Sequence, residues 1–72
     1  MAEATTTDVE TRAQTALNES PIYALRNLSV ERAGEVLYIS GRVSSFYYKQ
    51  LAQEVVRAAS NGLQVRNTID VD

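Results

Sequence analysis

The residue types best suited to bind a ligand or a partner lie in the segment SSFYYKQ and just beyond it. Three of the five aromatic residues of the chain, Phe46, Tyr47 and Tyr48, are consecutive there. If the segment is helical, Phe46 shares a face with Lys49 and Arg57, and the other residues of that face are polar. An aromatic ring beside two cations suits an anionic phospholipid headgroup region or a protein partner. We therefore take Phe46, Tyr47, Lys49 and Arg57 as candidate contact residues.

Catalytic and metal-binding chemistry has few residues to draw on. The chain has no histidine and no cysteine, which excludes Ser-His and Cys-His nucleophile pairs and the usual zinc sites. Its glycines, Gly34, Gly41 and Gly62, suit a turn, a strand end and a helix end and form no phosphate-binding loop. Asp70 and Asp72 share one side of a predicted strand, but two carboxylates alone make a poor calcium site. We expect a protein that is not an enzyme and holds no metal or cofactor.

The charges of the chain are nearly balanced. Its net charge of −2 divides into −3 over residues 1–20 and +1 over residues 21–72. This balance argues against a phosphate-neutralising surface and so against nucleic-acid binding. No apolar run approaches the roughly 20 residues that cross a bilayer, and the N-terminus lacks the regions of a signal peptide. We expect a cytoplasmic protein if Met1 is the true start, and a cell-envelope protein if the chain is a fragment of a longer secreted one.

The first predicted element is a helix that follows a short tail. Residues 1–6 are small and polar, which predicts a disordered tail and leaves residues 7–72 as one small domain. Thr7 and Glu10 have the spacing of a capping box at a helix start. An apolar stripe follows, and Pro21 cannot continue the helix. The stripe consists of Val9, Ala13, Ala16 and Leu17.

A β-hairpin is predicted next, because the apolar period changes from that of a helix to two. With residues 33 and 34 as its tip, Val30 lies opposite Leu37 and Leu28 lies opposite Ile39. This register puts all the large apolar side chains on one face, which a slip by one residue would not do.

The segment SSFYYKQ then predicts the start of a second helix. Ser44 as N-cap would put Val43 and Tyr48 at the spacing of a hydrophobic staple. Gly41, on the inward face of the preceding strand, would let this helix approach closely. Tyr47 would lie half-buried at the border of the apolar stripe, and only Phe46 has no place in the core. The stripe runs through Tyr48, Leu51, Ala52, Val55 and Ala59, and Gly62 suits the left-handed position that ends the helix.

The closing segment LQVRNTIDVD predicts a third strand, because its apolar residues share one parity. The order is then α-β-β-α-β, an α+β fold with a three-stranded sheet and two helices packed on one face. Periodicity leaves open whether the third strand pairs with the second or lies beside the first. Asn67 falls on the apolar parity and must hydrogen bond if it is buried. It either bonds neighbouring backbone and fixes the strand register, or contacts a ligand.

These segments together resemble a known family. The succession GEVLYISGRV, SSFYYKQLAQEVVRAASNG and LQVRNTIDV is similar to the BON domain, named for bacterial osmotically inducible and nodulation proteins. The resemblance covers roughly Thr11 to Asp72. It implies the α-β-β-α-β fold and a non-catalytic, lipid-binding or envelope-associated module.

Two functions from different classes follow from the sequence. The resemblance favours a binding module that contacts anionic phospholipid or a membrane surface. The near-neutral charge of the folded part favours a cytosolic module for protein interaction or self-assembly instead. Formation of a homo-oligomer is also possible, because association would add to the stability that so small a core provides.

Overall fold

The computed structural model describes the backbone of residues 2–72 and the side chains of residues 9–72. Its helices are α1 (Ala2–Asn18) and α2 (Phe46–Ala59), and a 3₁₀ turn (Tyr23–Leu25) precedes the first strand. Its strands are β1 (Ser29–Ala33), β2 (Val36–Ser40), β3 (Arg42–Val43), β4 (Gln64–Asn67) and β5 (Asp70–Val71). This confirms the predicted α+β class and the order α-β-β-α-β. Helix α1 already includes residues 2–6, which were predicted as part of a disordered tail, and Thr7 lies inside the helix and not at its start. The predicted tail was therefore wrong for residues 2–6, and so was the predicted helix start at Thr7.

The third predicted strand pairs with the second, which the sequence left open. The main sheet has the order β1-β2-β4, with β1 antiparallel and β4 parallel to β2, and β5 pairs in parallel with β3. The partners Val36 and Gln64 are 28 residues apart, and so are Arg42 and Asp70. Because the offset is the same, β2–β3 and β4–β5 form one ladder with a local interruption. Backbone hydrogen bonds continue across the interruption: the Thr68 N–H donates to the Ile39 carbonyl, and the Asp70 N–H donates to the Gly41 carbonyl. The Asp72 N–H donates to the Val43 carbonyl in the same way.

The predicted hairpin register was wrong by two residues. Val30 lies opposite Ile39 rather than Leu37, and the turn residues are Gly34 and Glu35. Gly34 has φ +65° whereas Glu35 does not have positive φ, which is the pattern of a type II′ turn with glycine at its first central position. A shift by two residues keeps every side chain on its face. The large apolar residues of both strands are therefore still buried.

The entry to α2 differs by one residue from the prediction. Ser45, not Ser44, is the N-cap, and its Oγ accepts a hydrogen bond from the Tyr48 N–H at 3.3 Å. Val43 therefore lies two residues before the cap, and the predicted staple with Tyr48 was wrong. Val43 is buried and is the last residue of β3, paired with Val71, and α2 begins three residues later at Phe46.

Two glycine assignments also need correction. Gly41 has φ +134°, and a Cβ there would lie 2.6 Å from Leu28 Cδ2. The close neighbour is thus the residue before β1 rather than a helix. At the end of α2, Asn61 with φ 53° takes the left-handed position predicted for Gly62, which follows with φ 92°.

The core lies between the two helices and the inward face of the sheet. Val9, Ala13 and Leu17 of the predicted first stripe are buried, and Ala16 is half-buried. On α2 the buried line passes through Ala52 and Val56, which are both fully inaccessible to solvent. Val56 was missing from the predicted stripe, whose members Leu51, Val55 and Ala59 are half-buried. In the described part of the chain, no helix is long and apolar enough to cross a membrane.

Candidate functional site

The first turn of α2 presents two aromatic rings to solvent. Phe46 is 73% exposed, which confirms that it has no place in the core. Tyr47 is 68% exposed, so the expectation that it lies half-buried was wrong. Tyr48 is half-buried and packs against the core, and its ring centroid is 5.9 Å from that of Tyr47. The aromatic row is therefore divided between surface and core.

Lys49 adds a positive charge to the same turn. Its Nζ lies 5.7 Å from the centroid of the Phe46 ring, within the range of a cation–π interaction worth about 0.5–1 kcal/mol at an exposed site. Phe46 and Lys49 are three residues apart, which places them on neighbouring positions of a helix. Three of the four predicted contact residues, Phe46, Tyr47 and Lys49, thus lie together.

A further exposed aromatic residue, Tyr23, was missed by the sequence reasoning. It lies in the 3₁₀ turn, which contacts α2, and is 75% exposed. Arg26 Cζ lies 5.4 Å from its ring centroid, and Arg26 Nε donates to the Ser20 carbonyl at 2.8 Å. The 3₁₀ turn precedes β1, and α2 follows β3, so both lie at the same end of the sheet. We call Tyr23, Phe46 and Tyr47, with Arg26 and Lys49, the aromatic end.

Arg57 does not belong to the aromatic end. It lies 11 residues after Phe46, about 16 Å along the helix axis. It lines a groove between α2 and β4 of about 260 Å³, together with Gln53, Leu63, Gln64 and Val65. We call this the α2–β4 groove. The four predicted contact residues therefore divide between two surfaces.

Asn67 holds α2 against β4. Its Nδ2 donates to the Lys49 carbonyl at 2.9 Å and to Gln53 Oε1 at 3.3 Å, and its Oδ1 accepts from the Ile69 N–H at 3.2 Å. This confirms the structural alternative, in which Asn67 bonds neighbouring groups. These bonds tie the backbone and a side chain of α2 to β4.

Gln14 plays a similar part at the other edge of the sheet. Its Oε1 accepts from the Val30 N–H at 2.8 Å, and its Nε2 donates to the Leu28 carbonyl at 3.0 Å. One side chain thus bonds a donor and an acceptor of the β1 edge, as a neighbouring strand would. It also lines a second groove of about 340 Å³, between α1 and β1, with Glu10, Thr11, Thr15 and Val30.

The acidic residues do not converge on a site. Asp72 Oδ1 lies 3.6 Å from Arg42 Nε, and both side chains are about two-thirds exposed. Within the described residues no group of three or more histidine, cysteine, aspartate or glutamate side chains is arranged to hold a metal ion. The described surface offers aromatic, cationic and backbone contacts, which suit binding.

No family model and no curated protein that was compared with this chain matches it, so the resemblance to the BON domain stays a prediction.

Proposed function

We propose that this chain is a non-catalytic binding module that contacts an anionic phospholipid surface through its aromatic end. The observation that carries the proposal is the 73% exposure of Phe46 with the Lys49 ammonium 5.7 Å from its ring centroid. An apolar ring with a cation beside it fits the boundary between acyl chains and anionic headgroups, where aromatic residues and lysine are enriched.

The geometry of Tyr23 supports the same function. Tyr23 and Arg26 repeat the aromatic–cation pair at the same spacing of three residues, and they lie at the same end of the sheet. Tyrosine rings suit an interface because one end is apolar and the hydroxyl stays hydrated. Two such pairs and the exposed ring of Tyr47 offer a small surface on which several side chains enter the headgroup region together.

The expected affinity is modest. Transfer of one phenylalanine ring contributes about 1.5–3 kcal/mol, and each cation contributes about 1 kcal/mol at an anionic surface. The net charge of −2 opposes the approach to such a surface. Binding should therefore depend strongly on the content of anionic lipid and weaken as the ionic strength rises.

Co-sedimentation with vesicles tests this function. Vesicles of phosphatidylcholine with phosphatidylserine should bind the protein at low salt, and vesicles of phosphatidylcholine alone should bind it less. The double substitution Phe46→Ala with Lys49→Glu should lower the vesicle affinity by about tenfold or more, because it removes the ring and reverses a charge.

Tyr38→Ala is the matched control, since Tyr38 is a 39% exposed aromatic residue on β2, away from the aromatic end. It should leave vesicle binding nearly unchanged. Vesicle binding that the Phe46 and Lys49 substitutions leave unchanged would exclude the aromatic end as the contact.

A protein-interaction module is the second candidate function. It is favoured by the same aromatic end, because exposed tyrosine and phenylalanine also anchor protein interfaces. Sedimentation at several protein concentrations separates self-assembly from lipid contact: a monomer at every concentration would argue against self-assembly.

A further inference from the structure

The outer edge of β4 has unpaired backbone groups. In the ladder with β2–β3, the N–H groups of even-numbered residues from Gln64 onwards point toward β2. The N–H and C=O groups of Val65 therefore point the other way, and within the described residues neither has a hydrogen-bond partner. At Ile69 the outward N–H is satisfied by Asn67 Oδ1. Asn67 has the same parity as Val65, so the open stretch of the edge runs from Val65 to Asn67.

The α2–β4 groove runs beside this open stretch. Gln53 and Arg57 line it from α2, and the half-buried Leu63 and Val65 line it from the strand side. An added strand along β4 would place alternate side chains toward α2, because successive side chains of a strand point to opposite faces. Those side chains would meet an amide, a guanidinium and two apolar residues.

Charge indicates what kind of strand would fit. Arg57 is the only charged residue that lines the groove, and its side chain has no hydrogen bond or ion pair in the described part of the chain. Glu54 lies about one turn before Arg57 on α2, and Lys49 lies about two turns before it. The lining of the groove itself carries one charge, the guanidinium of Arg57.

A second copy of this chain fits the edge poorly. Pairing β4 with β4 of a second copy about a two-fold axis would bring Arg57 of both copies to one seam, and like charges there oppose association. The β1 edge of a second copy has Gln14 across Leu28 and Val30. An acidic segment of another protein meets neither obstacle.

We propose that the β4 edge and the α2–β4 groove bind an extended, acidic segment of a partner protein, which adds to the sheet as a fourth strand. Main-chain hydrogen bonds to Val65 provide affinity, and a carboxylate of the segment pairs with Arg57. This goes beyond the proposed lipid contact and uses a different surface. Phe46→Ala should therefore weaken vesicle binding and leave segment binding unchanged.

A titration followed by amide NMR tests the proposal. The probe is a blocked peptide of about eight residues, the length of an ordinary strand, in which threonine and glutamate alternate. Shifts should concentrate at residues 63–67 and at Arg57, and exchange of the Val65 amide should slow. A peptide of alternating threonine and lysine should produce no shifts there. Equal binding of the two peptides would overturn the proposal.

Two matched charge-reversal substitutions test whether the peptide binds in the α2–β4 groove. Arg57→Glu should weaken binding of the glutamate peptide by about tenfold or more, because a charge-assisted pair becomes a repulsive one. Arg66→Glu makes the same change in net charge on β4, but Arg66 is exposed on the sheet face opposite the helices. Its effect should stay below about threefold. Equal losses would show general electrostatic attraction and overturn the assignment.

A change in the peptide tests strand addition without altering the protein. Methylation of alternate backbone nitrogens removes the donors on one edge of the peptide. The peptide methylated on the edge that faces β4 should lose binding, and the peptide methylated on the other edge should keep it. If both methylated peptides bind equally well, strand addition is wrong.

Discussion

The two outer strands of the sheet differ in whether a side chain of the adjacent helix bonds their edge backbone. At β1, Gln14 of α1 bonds the Val30 N–H and the Leu28 carbonyl. At β4, the side chain of Asn67 bonds α2 and the Ile69 N–H, and the backbone of Val65 has no partner within the described residues. An exposed strand edge is a template for pairing with another chain. At β1 a helix side chain bonds the backbone of the strand edge, whereas at β4 a strand side chain bonds the helix and the backbone of Val65 stays open.

Removal of Asn67 should have the largest effect on stability. Asn67→Ala loses two donated hydrogen bonds and one accepted bond, and the Ile69 N–H lies beside a side chain that is 1% exposed. We expect a loss of about 2–3 kcal/mol in the free energy of unfolding, because water replaces these bonds poorly. Urea denaturation measures it.

The control for this substitution is Asn27→Ala, since Asn27 is exposed and lies before β1. If Asn67→Ala and Asn27→Ala cost the same, Asn67 does not hold α2 against β4.

Removal of Gln14 should have a smaller effect on stability and a local effect on exchange. Gln14→Ala leaves the Val30 N–H and the Leu28 carbonyl without their partner, but Gln14 and Val30 line a groove of about 340 Å³ that water can enter. We expect a loss of about 1 kcal/mol and faster hydrogen exchange at Val30.

Gln50→Ala, at an exposed position of α2, is the matched control for Gln14→Ala. Unchanged exchange at Val30 in the Gln14 variant would contradict the view that α1 closes the β1 edge.

The smallest effect on stability is expected at the end of the β3–β5 ladder. Arg42 and Asp72 form an ion pair at 3.6 Å between two largely exposed side chains. A double-mutant cycle with Arg42→Ala and Asp72→Ala should give a coupling below about 0.5 kcal/mol. A coupling several times larger would mean that the far end of the ladder is held by this pair and not by its backbone bonds.

The sequence predicted the faces of the strands well and their exact pairing less well. Alternation at Leu28, Val30, Leu37 and Ile39 defines which side is buried, but a shift by two residues preserves that alternation. Only the turn decides between the two registers, and the observed one has a type II′ turn at Gly34 and Glu35. The N-cap was ambiguous for a simpler reason, since Ser44 and Ser45 are adjacent and equally suited to the role.

The candidate site was predicted in part. Phe46 stood out because a helical wheel gives it no apolar neighbours, and its exposure is confirmed. Arg57 shares that wheel face, but the wheel ignores the distance along the axis and the strand that lies beside it. Tyr23 was missed because a 3₁₀ turn has no long apolar period to set it against. Gln14 was missed because a polar residue next to an apolar stripe is typical of a solvent-facing side chain.

The 28-residue separation between paired residues of β2 and β4 also bears on the order in which the strands pair during folding. The hairpin closes at Ala33 and Val36, which are three residues apart, whereas β4 must close a loop about three doublings longer. At about 0.6 kcal/mol per doubling, that closure costs about 2 kcal/mol more in chain entropy. On this basis we expect β1 and β2 to pair before β4 joins them. We therefore expect β4, which carries the open edge, to join the sheet last, after β1 has paired with β2.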